Sequence, residues 1–244
     1  MTTELIIVVT ILLASFVRGV SGFGAALIAM PVLSGFTSVY EAAPLVALIG
    51  LTNDTLLGAY YRRSFDHRVV SQLLMGSVLG IPLGFVVLRI APANGMLSAL
   101  GLALVAYSIY ALLAPAMPAL KSRQWIYGTG FVSGILNGSY NLPGPPVILY
   151  GNSQGWSQEK FKSNLSSFLW GNAVLIVLGH AAQHRFSTLI LKQYLIAVPS
   201  LIIGTFVGIA LSKSFDPLIF RRIVLVTLVV IGLRLFVLGV QLSA

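Results

Sequence analysis

The sequence has no cysteine, and only 9% of its 244 residues are charged. Without cysteine there can be no disulfide, haem attachment, thiolate metal site or cysteine nucleophile. So little charge excludes an ordinary water-soluble globule, whose surface draws on about 25% charged residues. Disorder is excluded as well, because disordered chains are poor in apolar residues, and here 57% are hydrophobic. The three histidines, His67, His180 and His184, are too scattered to form a ligand set, so no metal or cofactor is expected. The opening Met1-Thr2-Thr3-Glu4 lacks the basic n-region of a cleaved signal, so the first apolar stretch is expected to belong to the mature protein.

Long uncharged runs are abundant: Val69–Leu88, Ile90–Leu120, Gln124–Gln158 and Gln193–Ser212. About 20 apolar residues in a helix cross a bilayer core of roughly 30 Å. The chain therefore reads as an all-α polytopic membrane protein embedded in a lipid bilayer, with eight apolar segments at about 4–36, 41–61, 69–89, 94–114, 125–151, 162–183, 190–211 and 218–241. A β-barrel would need alternating ten-residue strands, and these segments do not alternate. A net charge of +9 would suggest nucleic acid in a soluble chain. Here the basic residues punctuate apolar spans, as orientation signals do, and nucleic-acid binding is not expected.

The eight segments form two homologous halves of four, expected as repeats over 1–120 and 121–244. Phe16-Val17-Arg18-Gly19 matches Phe131-Val132-Ser133-Gly134 at an offset of 115 residues, and Pro31-Val32 meets Pro146-Val147 at the same offset. Asn53 corresponds to Asn172, and Gly80/Gly84 to Gly204/Gly208, at somewhat larger offsets. Such repeats are a common ground plan of secondary transporters.

The first segment of each half cannot be a simple helix. Segment one would run well past the bilayer thickness as a single rod. Its centre carries Arg18-Gly19-Val20-Ser21-Gly22-Phe23-Gly24, and segment five carries Gly134–Pro146 with Pro143, Pro145 and Pro146. Proline removes an N–H donor and clashes with the preceding turn. Each segment is expected to be broken or re-entrant at mid-membrane, Gly134–Pro146 is not expected to remain helical, and the polar and helix-breaking residues of Asn137–Pro146 read as a binding site. The glycines of Gly76/Gly80/Gly84 and Gly204/Gly208, spaced by four, suit close helix packing instead.

Basic residues favour re-entry. If both segments return to their side of entry, Arg62, Arg63, Arg68, Lys121, Arg123, Lys160, Lys162, Lys213, Arg221 and Arg222 share one face, opposing Arg89, Arg185, Lys192 and Arg234. Eight full crossings would distribute them more evenly, against the positive-inside bias. Re-entry leaves three crossings per half, so the repeats are inverted.

Two broken segments meeting in the membrane would aim helix N-termini and backbone N–H groups at a small anionic substrate. Candidate binding residues are Arg18, Ser21, Gly22 and Gly24 at the first break, Asn137, Ser139, Tyr140, Asn141 and Gly144 at the second, and Asn53 and Asn172, one amide from each half. Arg18 has two readings, attraction for the anion, or a structural role in which it snorkels to the interface or pairs with Asp54. Asp54 is the one acid inside an apolar segment. Intramembrane acids are costly and by default functional, which makes it the proton-coupling candidate. His180 reads as an interfacial or packing residue. Glu41 and Asp216-Pro217 read as helix starts, and Tyr60, Tyr61, Trp125 and Trp156 as interfacial aromatics.

At the glycine-rich motifs with trailing proline, Gly19–Pro31 and Gly134–Tyr150, the chain resembles the sulfite exporter TauE/SafE family, part of the toluene-sulfonate uptake permease group. The resemblance covers essentially the whole chain. It implies a multi-pass carrier of the bacterial cytoplasmic membrane, with no cofactor, moving sulfite, organosulfonates or related anions, most commonly outward. The chain departs from the family pattern at Phe23-Gly24-Ala25-Ala26 and Asn141-Leu142-Pro143, so the resemblance does not choose among those anions. Oligomeric state, including a homo-oligomer, is left open. Two other classes compete: a rhomboid-like intramembrane serine protease, from Gly19-Val20-Ser21-Gly22 with His180 as base, and a non-transporting scaffold or channel subunit.

Overall fold

The computed structural model describes residues 2–22, 24–60, 65–113, 120, 122–212, 214 and 216–242. Arg62, Arg63, Lys121 and Lys213 of the charge count, together with Phe23 and Tyr61, lie outside the described residues, as does the Tyr60 side chain.

Among the described residues the chain forms ten helices: α1 (Thr2–Ser21), α2 (Ala25–Ser34), α3 (Val39–Tyr60), α4 (His67–Ile90), α5 (Ala93–Leu113), α6 (Arg123–Tyr140), α7 (Gly144–Ser153), α8 (Gln158–Ala182), α9 (Thr188–Leu211) and α10 (Pro217–Gln241). Polar residues fix their starts. Ser122, Ser157 and Ser187 accept from the N–H of Gln124, Lys160 and Ile190. Ser38 and Glu41 form a reciprocal capping box at α3. Asp216 caps α10 through the Ile219 N–H at 3.3 Å, so both acids read as helix starts do serve as caps.

Apolar residues cover the outside as well as the inside. Leu79 is 69% exposed, Leu195 68% and Phe206 57%, on helices that also bury Leu73 and Leu201 completely. A helix apolar all round is built for lipid. Among the described residues, α1, α4, α5, α8, α9 and α10 are long and apolar enough to cross a membrane, by length and composition. The re-entrant layout counts α3 as a crossing in place of α1. Among the described residues, α1 meets this measure of length and composition and α3 does not.

Segments one and five are each split into two helices. Where segment five breaks, Gly134–Pro146 proves too broad: α6 stays helical through Tyr140, and only Asn141–Pro143 leaves the helix. Pro145 and Pro146 fall in the first turn of α7, where a missing N–H costs no intrahelical bond. These prolines start a helix instead of destroying one.

The helices cluster into two compact units, residues 1–49, 90–115 and 186–244, and residues 50–89 and 116–185. Each draws on both sequence halves. In the first unit α1 lies parallel to α9, with Glu4 paired to Lys192 at 3.9 Å near their starts. Further along, a methyl group on Gly19 would lie 2.9 Å from Gly208 Cα, so only glycine allows this approach. Helices α5 and α10 pack antiparallel, Gly101 against Gly232 and Phe236, Gly239 against Asn94 and Ser98. Helix α2 packs on α1 and α10.

In the second unit α4, α6 and α8 run in one direction. Gly130, Gly134 and Gly138 of α6 meet Leu73, Ser77 and Ile81 of α4 in ascending order. Asp66 N–H donates to Asn164 Oδ1 at 2.7 Å near the starts of α4 and α8, and Phe85 lies over Gly179 near their ends. With α6 and α8 parallel, the chain between them must come back, and α7 carries it. Gln154 Nε2, just past α7, donates to Leu120 O at 2.9 Å, just before α6.

Candidate functional site

The turn of the α6–α7 hairpin is built from residues that tolerate it. Asn141 adopts the left-handed conformation, φ 56° and ψ 34°, which asparagine reaches more readily than most residues. Its N–H closes on Asn137 O at 2.9 Å, and the Leu142 N–H on Leu136 O at 3.2 Å. Tyr140, Asn141 and Leu142 are all buried. Ser139 Oγ donates to Gly84 O at 3.2 Å, which sets the turn's level on α4. Gly84 lies about 26 Å along a helix of about 36 Å. The turn therefore sits about three quarters of the way along α4, beyond its midpoint.

Beneath the turn lies a buried amide network. Asn137 Nδ2 donates to Asn172 Oδ1 at 3.1 Å and to Asn172 O at 3.2 Å. Ser77 Oγ donates to the same Asn172 Oδ1, and Asn172 Nδ2 donates to Phe168 O at 3.2 Å. The network ties α6, α8 and α4 together with side chains 0–2% exposed. Two residues singled out in the sequence, Asn137 and Asn172, thus meet directly. Ser77, the third member, stands beside Gly76 as one hydroxyl among apolar residues, and no sequence pattern marks it.

At the first break, Gly22 (φ 79°) and Gly24 (φ 100°) occupy the left-handed region that glycine enters without steric cost. Arg18, on the preceding turn, is 4% exposed. Ser21 Oγ turns back to donate to Val17 O at 2.7 Å. Helix α2 then starts with Ala25, Ala26 and Leu27, whose N–H groups have no acceptor within their own helix. At α7 Pro145 and Pro146 supply no N–H, leaving only Gly144 and Val147 as donors in that first turn. The two breaks are chemically unequal: the first is rich in backbone donors, the second in side-chain amide and phenol. Ser21 and Ser139 each donate a hydroxyl hydrogen to a backbone carbonyl, of Val17 and Gly84 respectively.

Asn53 and Asp54 lie on α3 in its second-unit stretch, where Thr55 accepts from Trp170 Nε1 of α8 at 3.3 Å. Asp54 is 7% exposed, yet Gly50 and Gly58, one turn away on either side, face open space within 4 Å. His180 is fully buried, edge-on to Phe85 at 5.0 Å, as a packing histidine would be. Among the described residues no cluster of His, Asp or Glu could hold a metal ion.

The family described as Sulfite exporter TauE/SafE has a model that matches residues 7–235. The chain is 28% identical over 228 residues to the probable sulfite/organosulfonate exporter TauE of Cupriavidus necator, covering 91% of this chain and 89% of that relative. No solved structure matches the chain.

Proposed function

Since the chain belongs to the TauE/SafE sulfite exporter family, a family of membrane transporters and not of enzymes, we propose that it exports a small sulfur-containing anion, sulfite or an organosulfonate, across the bacterial cytoplasmic membrane by alternating access around its two broken segments. The relative's name carries the substrate class. The observation that carries the mechanism is the α6–α7 hairpin, a polar turn buried inside an apolar helical unit. Non-helical backbone at membrane depth is tolerated only where protein buries it or where it lines a watery cavity, and broken helices are where transporters of this plan bind substrate.

The proposed substrate groups are Arg18, Ser21, Gly22 and Gly24 with the α2 N–H groups at one break, and Tyr140, Asn141 and Gly144 at the other. Asn137, Ser139 and Asn172 hold the second turn in shape, and Asn53 stands beside Asp54 on α3. The open space flanking Asp54 supports a proton-coupling role for that carboxylate. The Gln154–Leu120 hydrogen bond supports re-entry of segment five, hence an inverted pair of four-segment halves.

The test is sulfite flux from proteoliposomes loaded with sulfite. Saturable efflux that responds to an imposed pH gradient is expected. Non-saturating flux would make the protein a channel, and no flux of sulfite, taurine or isethionate would remove the proposal.

A further inference from the structure

A surface groove of about 460 Å³ runs between α4 and α8, lined by Val78, Pro82 and Val86 on one side and Leu175 on the other, with Arg89 and Gln183 at one end. At Gly179 the Phe85 ring packs directly against α8, and Ala182 also lines the groove. Val78 and Val86 are 49% and 51% exposed, so the groove belongs to the apolar outer surface. From Val78 to Arg89 the helix rises about 16 Å, half of a hydrocarbon core of roughly 30 Å. The groove is therefore one leaflet deep, apolar along its length and cationic at its end. Among the described residues no carboxylate lies within salt-bridge distance of Arg89.

We propose that this groove binds one anionic phospholipid, an acyl chain lying along Val78–Val86 and the phosphate seated on Arg89 and Gln183. The charge complementarity is specific to that end of the groove, since no other lining residue is charged. A zwitterionic lipid would supply the same chain but set a cation near Arg89. A basic residue near the membrane surface strengthens attraction to anionic lipid severalfold.

Native mass spectrometry of the purified full chain, titrated with phosphatidylglycerol or phosphatidylcholine of identical chains, tests the proposal. One phosphatidylglycerol should be retained in preference to phosphatidylcholine. Arg89→Gln should weaken the adduct about fivefold and abolish the preference, whereas Arg89→Lys should keep it. Val86→Trp, a change on an exposed position, should lose the adduct while the protein stays monodisperse. Equal retention of both lipids, an Arg89→Gln variant that still prefers phosphatidylglycerol, or binding of glycerol 3-phosphate as strongly as of the lipid would each overturn it. So would a wild-type dimer that Val86→Trp dissociates, because the groove would then seat a second copy.

Discussion

Replacing Asn172 by alanine measures the structural load that the amide network carries. Asn172 is fully buried, and the change removes three side-chain hydrogen bonds, those from Asn137 Nδ2 and Ser77 Oγ and the one to Phe168 O. Asn137 keeps its bond to the Asn172 backbone carbonyl, so no buried amide is wholly stranded. Two of the three bonds cross between helices, where polar contacts average about 0.6 kcal/mol each, and the third lies within α8 and is worth roughly 0.5–1 kcal/mol, which gives about 2 kcal/mol in all. At roughly 2–4 °C per kcal/mol, the melting temperature should fall by about 4–8 °C. Asn137→Ala loses only the two bonds from its own amide and leaves Asn172 Oδ1 paired with Ser77. Its fall should be about two thirds as large. Thermal scanning of tryptophan fluorescence on detergent-purified protein reads both. If Asn172→Ala melts with the wild type, or melts above Asn137→Ala, the network is not what fixes the hairpin.

Three further outcomes follow from the geometry. Gly134→Ala should lower stability by about 1–3 kcal/mol, because the new methyl meets Ser77 Cα at 2.8 Å, while Gly128→Ala in the same helix has open space and should be neutral or gain up to about 1 kcal/mol; size-exclusion profiles of heated samples distinguish them. Single cysteines at Ser122 and Ser157, introduced into a chain with no native cysteine, should both label with an impermeant maleimide from the same side of the membrane, and labelling from opposite sides would eliminate re-entry of segment five. Asp66 is held below its usual 3.8 chiefly by the Val69 N–H, then by Lys160 and the Arg68 N–H against partial desolvation. A depressed carboxylate stabilises the fold above its unfolded pKa, and that contribution fades as pH falls below 3.8. Wild type should therefore lose melting temperature below about pH 4 more steeply than Asp66→Asn, and parallel pH profiles would contradict this.

Much of the architecture was legible in the chain because lipid imposes so simple a code. Uncharged runs marked the helices, and the crowding of Gly22 and Gly24, and of Pro143, Pro145 and Pro146, marked where two of them part. The width of the second break was not legible. Proline counts suggest disruption, but a proline in a first helical turn is harmless, and only the positions of Pro145 and Pro146 after the turn decide the matter. Nor could the sequence show that Gly134 and Gly138 serve contact with α4 instead of the break, since glycine supports both roles and a neighbour must be known to choose. The Asn137–Asn172 contact was guessable as two amides in an apolar setting. Its third member, Ser77, was not, because one serine among apolar residues carries no pattern.

The polar turn at the end of α6 is the proposed handling point for the sulfur anion. Sulfite efflux from proteoliposomes carrying Tyr140→Ala or Asn141→Ala, at matched protein content and fold, tests it most directly. Loss of one hydrogen bond to a charged ligand predicts about tenfold slower flux at subsaturating sulfite. Wild-type flux in both variants would contradict the account.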